Sequence, residues 1–355
     1  MNKKDGMNYA PKGKPQHVVE PGEFIIAATG LDHGHIFAMC NGLTEAGATL
    51  KWVYDADAAK VDKFVQQFPQ AQIADSLETI LADPHVQLVA AAAIPSERCA
   101  LGLKVMEAGK DYFTDKAPLT SLEQLEDARA TCAKTGRKYA VYYSERLHVE
   151  SAVFAGQLVE QGAIGKVVQT LGTGPHREGS GRPDWFYQRR YFGGILCDIG
   201  SHQIEQFLYY TGNSDATVVA SQVRNFNHPD HPQFEDFGEA MLAGSNGATG
   251  YFRCDWFTPD GLSTWGDGRM TLLGTDGYIE IRKYTDLTRG EQDVVYLVNQ
   301  EGEFRHAVSG TVGFPFFGQL ITDCIHRTEH AMTQEHAFKA AELCIKAQMF
   351  ANAGS

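Results

Sequence analysis

Residues 86–93 read Val86-Gln87-Leu88-Val89-Ala90-Ala91-Ala92-Ala93, apolar at every position but one. A strand of that kind has no water-facing side, so it belongs in the middle of a parallel sheet covered by helices on both faces. The surrounding rhythm agrees. Strands are expected over residues 24–29, 50–54, 112–114 and 139–143, and helices over 35–46, 58–68, 76–81, 97–108 and 122–134, with Gly47, Pro69, Gly109 and Gly136 as stops. Strands alternating with helices of this length make β-α-β units with right-handed crossovers. Residues 23–145 are therefore expected to form a doubly wound α/β domain.

The chain has 355 residues, enough for two domains of roughly 150 each, and its pattern changes beyond Ser144. Helices are expected over 148–161 and 195–210. Strand-like runs follow at 217–224, 239–242, 250–257, 270–273, 278–282 and 294–298, several of them separated by Asn246-Gly247, Asp276-Gly277 and Glu301-Gly302 turns. That is a meander, so residues 146–330 are expected to be an α+β domain with an open, mostly antiparallel sheet. Two further helices are expected over 317–326 and 335–350, the second within a C-terminal segment 331–355. Residues 1–22, polar and punctuated by Pro11, Gly13, Pro15, Pro21 and Gly22, are expected to be a surface arm.

Charge excludes some partners. The sum of 31 basic and 44 acidic residues is −13, a field that repels a phosphate backbone, so no nucleic-acid partner is expected. Seven cysteines are scattered, with no C-x-x-C among them, which fits reduced thiols in a cytoplasmic protein better than a disulfide framework or zinc ribbon. No stretch approaches 18 apolar residues and none follows the start, so neither a membrane span nor a leader is expected.

Three segments carry candidate chemistry. After the first strand comes Thr29-Gly30-Leu31-Asp32-His33-Gly34-His35. A dinucleotide fold wants G-x-G-x-x-G here, because glycines make the turn tight and let the backbone approach the pyrophosphate. Gly30 fits that register, while Asp32 and His35 occupy the second and third glycine positions. The turn opens a helix, whose N-terminal amides favour an anion. Asp55 ends the second strand, close to the roughly 20 residues expected for the ribose-binding acid. A carboxylate there accepts from ribose hydroxyls and repels a 2′-phosphate, and no arginine adjoins it, so NAD is preferred over NADP. Asp32 adds a carboxylate near the pyrophosphate, which His33 or His35 could offset.

The second segment, Tyr112-Phe113-Thr114-Asp115-Lys116-Ala117-Pro118, puts a lysine at the carboxyl end of a parallel strand, where open α/β sheets bind ligands. The third is Gly193-Gly194-Ile195-Leu196-Cys197-Asp198-Ile199-Gly200-Ser201-His202. On one helix Asp198 and His202 are four apart and share a face, while Ile204, Phe207 and Leu208 form a separate apolar stripe. A carboxylate beside an imidazole orients it and tunes it near neutral pH, which suits proton abstraction from an alcohol; chance pairing is the plainer alternative.

These three pieces, in this order, resemble the Gfo/Idh/MocA family, named for glucose–fructose oxidoreductase, inositol dehydrogenase and MocA. The resemblance runs from Phe24 to the last helix and includes the stretch 83–95, the segment from Glu107 to Pro118, and the Gly274-Thr275-Asp276-Gly277 turn. Asp115-Lys116-Ala117 stands where the family has Glu-Lys-Pro, and Arg98 where it often has histidine. The resemblance implies a Rossmann domain binding NAD through Gly30, Leu31, Asp32, His33, Asp55, Ile94, Pro95 and Lys116. It implies a catalytic lysine at Lys116, a general base at His202 and its partner at Asp198. It implies oxidation of a secondary hydroxyl of a sugar, glycoside or cyclitol, a homodimer or homotetramer formed through the open sheet, and a C-terminal helix packing back towards the first domain. Two other classes share such a scaffold: redox-assisted cleavage that recycles NAD, and a dinucleotide-sensing binding module without catalysis.

The remaining candidates are weaker. The charged, aromatic segment from Gly172 to Arg190 leads into the Asp198 helix, so His176, Arg182 and Trp185 are candidate substrate contacts. His326 and His330, four apart near Cys324, and His228 and His231 in a proline-broken loop lack a third converging ligand, so no metal is assigned to either pair. Trp256 and Trp265 flank a glycine-rich stretch and suit either sugar stacking or subunit packing.

Overall fold

The computed structural model describes residues 11–353; residues 1–10 of the expected arm lie outside the described residues. Residues 11–22 form neither helix nor strand, and Val18 N–H donates to Ala46 O at 3.0 Å. From there the chain folds as β1 (Ile25–Thr29), α1 (His35–Glu45), β2 (Thr49–Tyr54), α2 (Ala58–Gln67), β3 (Gln72–Ile73), α3 (Leu77–Ala82), β4 (Val86–Ala91), α4 (Arg98–Glu107), β5 (Asp111–Asp115), α5 (Leu122–Thr135) and β6 (Tyr139–Tyr142). The six strands are parallel in the order β3-β2-β1-β4-β5-β6, the doubly wound dinucleotide arrangement.

Local chemistry explains these boundaries. Asp57, Ser76 and Ser121 cap α2, α3 and α5 with side-chain oxygens that accept from backbone N–H groups two or three residues on. Gly136, at φ +66°, ends α5 in the left-handed conformation that favours glycine. Strand β4 is buried along its length apart from half-buried Gln87, whose Oε1 accepts from Ile25 N–H at 2.8 Å. The one polar residue of the apolar run thus satisfies a strand amide of β1.

The second half contains α6 (Ser144–Leu147), α7 (Glu150–Glu160), β7 (Val167–Pro175), α8 (Arg189–Phe192), α9 (Ile195–Asp198), α10 (Gly200–Thr211), β8 (Ala216–Arg224), β9 (Phe237–Gly244), β10 (Thr249–Asp255), β11 (Arg269–Gly274), β12 (Gly277–Arg282), β13 (Val294–Asn299), β14 (Gly302–Ala307), α11 (Pro315–His326) and α12 (Gln334–Ala353). Eight strands pair in the order β14-β13-β12-β11-β7-β10-β9-β8, antiparallel except for β7 beside β10. Leu158 of α7 and Tyr210 of α10 pack with Met270, Leu272, Ile279, Ile281, Val295 and Leu297 into a core on one face of this sheet. On the other face the side chains Leu171, Met241, Leu273 and Tyr278 are exposed.

Several expectations need correction. The helix expected over 148–161 is α7, and an unexpected short helix, α6, precedes it across His148 and Val149. The helix over 195–210 is interrupted at Ile199, which keeps right-handed helical angles while the chain re-forms as α10. Strand β7 (Val167–Pro175) lies where no strand is expected. A Cβ at Gly172 would overlap Gln203 Oε1, and one at Gly174 would come 3.1 Å from Gln203 Nε2. Bare backbone is what lets α10 lie against the strand.

By contacts the chain divides into two units. The first holds Lys14–Tyr142 together with Pro315–Phe338, and the second holds Tyr143–Phe314 together with the chain from Lys339 onward. Residues 315–330, expected with the α+β domain, group with the parallel sheet: Phe316 lies 5.8 Å from Phe113 and Phe317 6.2 Å from Tyr142, ring to ring. Past Lys339 the last helix groups with the second unit, where Ser221 Oγ donates to Ala347 O at 2.6 Å. All seven cysteines are free, and among the described residues no helix is long and apolar enough to cross a membrane.

Candidate cofactor and acid–base sites

In the first unit the candidate loops follow the carboxyl ends of β1, β2, β4 and β5, on either side of the β1–β4 boundary where strand order reverses. Gly30 adopts φ +58°, and a Cβ there would stand 2.9 Å from Ala93 Cβ. The β1 and β4 loops are laced together: Ala92 N–H donates to Gly30 O and His33 N–H to Ala92 O. Asp55 fixes the loop from the other side, accepting from Leu31 N–H at 2.7 Å and Asp57 N–H at 2.9 Å. Ile94 is half-buried and Pro95 buried at the end of the β4 loop.

Asp32 is answered by a residue the sequence reading did not single out. Lys60 of α2 donates to Asp32 Oδ1 at 2.6 Å and lies 3.9 Å from Asp55 Oδ1. Partial burial opposes the Lys60 charge, but the Asp32 hydrogen bond and the charges of Asp32, Asp55 and Asp57 outweigh it and raise its pKa. The one signal in the sequence was the uncompensated carboxylate itself.

His33 and His35 turn to Asp115 instead. Their Nδ1 atoms lie 2.8 Å from Asp115 Oδ2 and Oδ1 respectively, and the two rings meet edge to face at 4.3 Å. Burial and the neighbouring His35 push the pKa of His33 down to about 4. Burial also opposes the charge on Asp115, yet His35, Arg98 and His33 hold it well below the usual carboxylate range. The buried Arg98 guanidinium lies 3.3 Å from Asp115 and donates to Ala93 O at 2.7 Å, to Ala117 O at 3.0 Å and to Lys116 O. Arg98 therefore ties the β4 loop to the β5 loop and fixes the backbone that carries buried Lys116. The ligand atoms of His33, His35 and Asp115 lie within 4.8 Å of one another, close enough for a metal ion, but each imidazole is already bonded to the carboxylate and the guanidinium shares it.

In the second unit His202 is buried in the first turn of α10, and Asp198 is half-buried at the end of α9. His202 N–H donates to Ile199 O, and Ser201 Oγ donates to Asp198 O at 2.7 Å, which holds the junction between the two helices. His176 follows β7, with its Nδ1 3.2 Å from Gly174 O and its ring against Trp256 and Trp265. Arg182 donates to Glu178 O and stacks on Phe186 and Trp256, and half-buried Trp185 lies beside Phe186.

A carboxylate and a lysine that the sequence reading missed stand beside these groups. Glu145 of α6 accepts from Lys283 Nζ at 2.6 Å, and both are buried. Burial opposes the Glu145 charge, but Lys283, His202 and His176 hold its pKa down to about 2. No motif announces this pair, because its members are 138 residues apart.

The histidine pairs resolve differently. α11 stops at His326, so His330 is not on that helix, and both residues are exposed. His228 bridges two carboxylates, with Nδ1 3.0 Å from Asp236 and Nε2 2.7 Å from Glu178, while His231 stacks on Tyr187 at 4.0 Å.

Known proteins resemble this chain in sequence and fold. The chain is similar to a solved Erwinia carotovora atroseptica SCRI1043 structure described as an oxidoreductase, with 59% identity, a TM-score of 0.91, and 93% of this chain and 99% of that one covered. It is 26% identical over 237 residues to the scyllo-inositol 2-dehydrogenase (NAD(+)) of Bacillus subtilis strain 168, covering 66% of each chain. It is 26% identical over 150 residues to the D-xylose dehydrogenase of Paenarthrobacter nicotinovorans, covering 41% of this chain and 38% of that one. The match thus spans less than two thirds of the length of either dehydrogenase. Residues 31–143 match the sequence profile of the oxidoreductase family with an NAD-binding Rossmann fold, and residues 153–280 match the GFO/IDH/MocA C-terminal domain. The chain belongs to the Gfo/Idh/MocA family of NAD-binding oxidoreductases.

Proposed function

We propose that this protein is an NAD-dependent dehydrogenase that oxidises a secondary hydroxyl of a sugar, glycoside or cyclitol. The observation that carries the cofactor part is the β1 turn, where bare Gly30 lies against Ala93 and the Asp55 carboxylate stands beside the turn at the end of β2. The residues fit a dinucleotide, since any side chain at position 30 would fill the close approach and Asp55 retains acceptor capacity for ribose hydroxyls. Gly30, Leu31, Asp32, His33, Asp55, Ile94, Pro95 and Lys116 would hold it. Lys60 is engaged by Asp32 and Asp55 and is therefore not free for a 2′-phosphate, which favours NAD over NADP. When bound, NAD supplies the hydride acceptor.

The chain's own residues handle the proton. His202 takes it from the substrate hydroxyl as general base, Asp198 orients the imidazole, and Lys116 donates a hydrogen bond to the reacting oxygen. His176, Arg182 and Trp185 contact the rest of the substrate. The sugar and cyclitol class follows from the dehydrogenase relatives. The test is purified protein with NAD and a panel of D-xylose, scyllo-inositol and myo-inositol, following reduced nicotinamide by absorbance. His202→Asn is expected to lower kcat by about 100-fold or more. Undiminished conversion by that variant rules out His202 as the base. Tightly held cofactor with no net reduction points to NAD-recycling chemistry.

The proposed homo-oligomer is supported by Leu171, Met241, Leu273 and Tyr278, apolar side chains left exposed on the sheet face away from the core. Light scattering on wild type and on the Met241→Asp/Leu273→Asp double variant tests it, the variant being expected to dissociate. A reducing cytosol suits the seven free thiols.

A further inference from the structure

The second unit buries polar groups that the proposed reaction leaves unused. Lys283 is wholly buried, and Glu145 is its single side-chain acceptor among the described residues, although an ammonium carries three N–H donors. Glu145 Oε2 accepts from both Lys283 and Gln203, at 2.6 and 3.0 Å. Its other oxygen, Oε1, makes no hydrogen bond among the described residues, and His176 Nε2 lies 4.0 Å from it. Gln203 Oε1 and the Trp265 indole N–H are also buried with no such partner there. The Trp265 ring lies 4.3 Å from that of His176 and 4.2 Å from that of Tyr284, the residue after Lys283.

The unpartnered Glu145 Oε1 and the Trp265 ring therefore lie beside the His176 imidazole, with Gln203 and Lys283 bonded to the same Glu145 carboxylate. Buried polar groups without partners cost free energy, and native structures keep few of them. Mixed donors and acceptors match neighbouring hydroxyls, each of which both donates and accepts. The Glu145–Lys283 pair sums to no net charge, which suits an uncharged polyol better than a sugar phosphate or sugar acid. His202 acts electrostatically on the same Glu145 carboxylate, so the base and the pair share one interior.

We propose that Glu145, Lys283 and Trp265 form a hydroxyl-binding subsite around His176 that grips neighbouring hydroxyls of an uncharged polyol, beside the one His202 deprotonates. Its placement beside the reacting hydroxyl rests on the dehydrogenase reading, whereas the binding itself does not. Gly172 and Gly174 contribute indirectly, since their bare backbone leaves room for the Gln203 carboxamide that holds Glu145.

The test is calorimetric titration of the full chain, with NAD present, by scyllo-inositol, D-xylose and D-gluconate. The proposal expects saturable binding of the neutral compounds over gluconate, weakened roughly tenfold or more by Glu145→Gln and by Trp265→Phe. Trp265→Phe keeps a six-membered aromatic ring and loses the pyrrole half with its N–H, so it carries the test should Glu145→Gln lower Tm. Full affinity in Trp265→Phe and in folded Glu145→Gln overturns the subsite, and so does the absence of any saturable neutral-polyol binding by wild type. Variant-sensitive binding without NAD reduction would sink the dehydrogenase reading and leave the subsite standing. NAD reduction with a KM insensitive to both variants would do the opposite.

Discussion

Lys60 Nζ stands 2.6 Å from Asp32 Oδ1, so the carboxylate that replaces the second glycine of the dinucleotide turn comes with its own counter-ion. Removing the lysine would leave Asp32 bare beside the proposed pyrophosphate position. Lys60→Gln is expected to weaken NAD about fivefold, a modest loss because the pair is about one-third exposed on its lysine side. Adding Asp32→Gly should recover the affinity. Calorimetry on the three variants checks this, and an unchanged dissociation constant in Lys60→Gln would contradict it.

Gly30 combines a left-handed backbone with a neighbour at contact. Gly30→Ala is expected to cost about 1–2 kcal/mol from backbone conformation alone, before the approach to Ala93 is counted. Urea unfolding measures the loss, and NAD binding should fall with it. An alanine variant as stable as wild type would show that the turn relaxes.

His33 makes stability depend on pH in a direction that can be worked out. Its pKa in the fold is about 4, below the roughly 6.5 of an unfolded histidine. Between those values the unfolded chain binds a proton that the folded one does not. Stability therefore declines as pH falls from about 6.5 to about 4, then levels off. His33→Asn should flatten that part of the Tm-against-pH curve, and an identical slope in the variant would refute the assignment.

Arg146 of α6 pairs with Glu205 of α10 in the interior of the second unit, Nε to Oε1 at 2.6 Å, with the guanidinium 4.0 Å from the Tyr209 ring. Glu205→Leu strands a buried cation and is expected to cost about 3–5 kcal/mol in chemical unfolding. Arg146→Met/Glu205→Leu should lose clearly less than the single change. A double variant no better than the single one would place the energy in packing around the pair.

The parallel sheet was legible because its signals are local. A strand apolar on both faces, serine and aspartate caps, and glycine stops each act within a few residues of themselves. The turn after β1 and the positions of Asp55 and Lys116 followed from that framework. What was not legible depends on contacts across long stretches of chain. Strand β7 carries no strand signal because Gly172 and Gly174 answer to Gln203 some 30 residues later, and helix-to-strand clearance leaves no periodic trace. Glu145 and Lys283 meet only after the second sheet has formed. Lys60 belongs to an amphipathic helix whose exposed lysines look alike until one of them faces Asp32.

The route of the chain through the two units has a practical outcome for protein engineering. Pro315–Phe338 returns to the first unit after the whole second sheet has been made. Arg327 reaches buried Asp111 at 2.7 Å there, and Phe316, Phe317 and Phe338 cover Phe113, Tyr142 and Tyr139. A gene truncated after Tyr142 would thus express a nucleotide-fold fragment with a bare aromatic flank and an uncompensated interior aspartate. Such a fragment should aggregate, whereas grafting the 315–338 segment back through a short linker should restore its solubility.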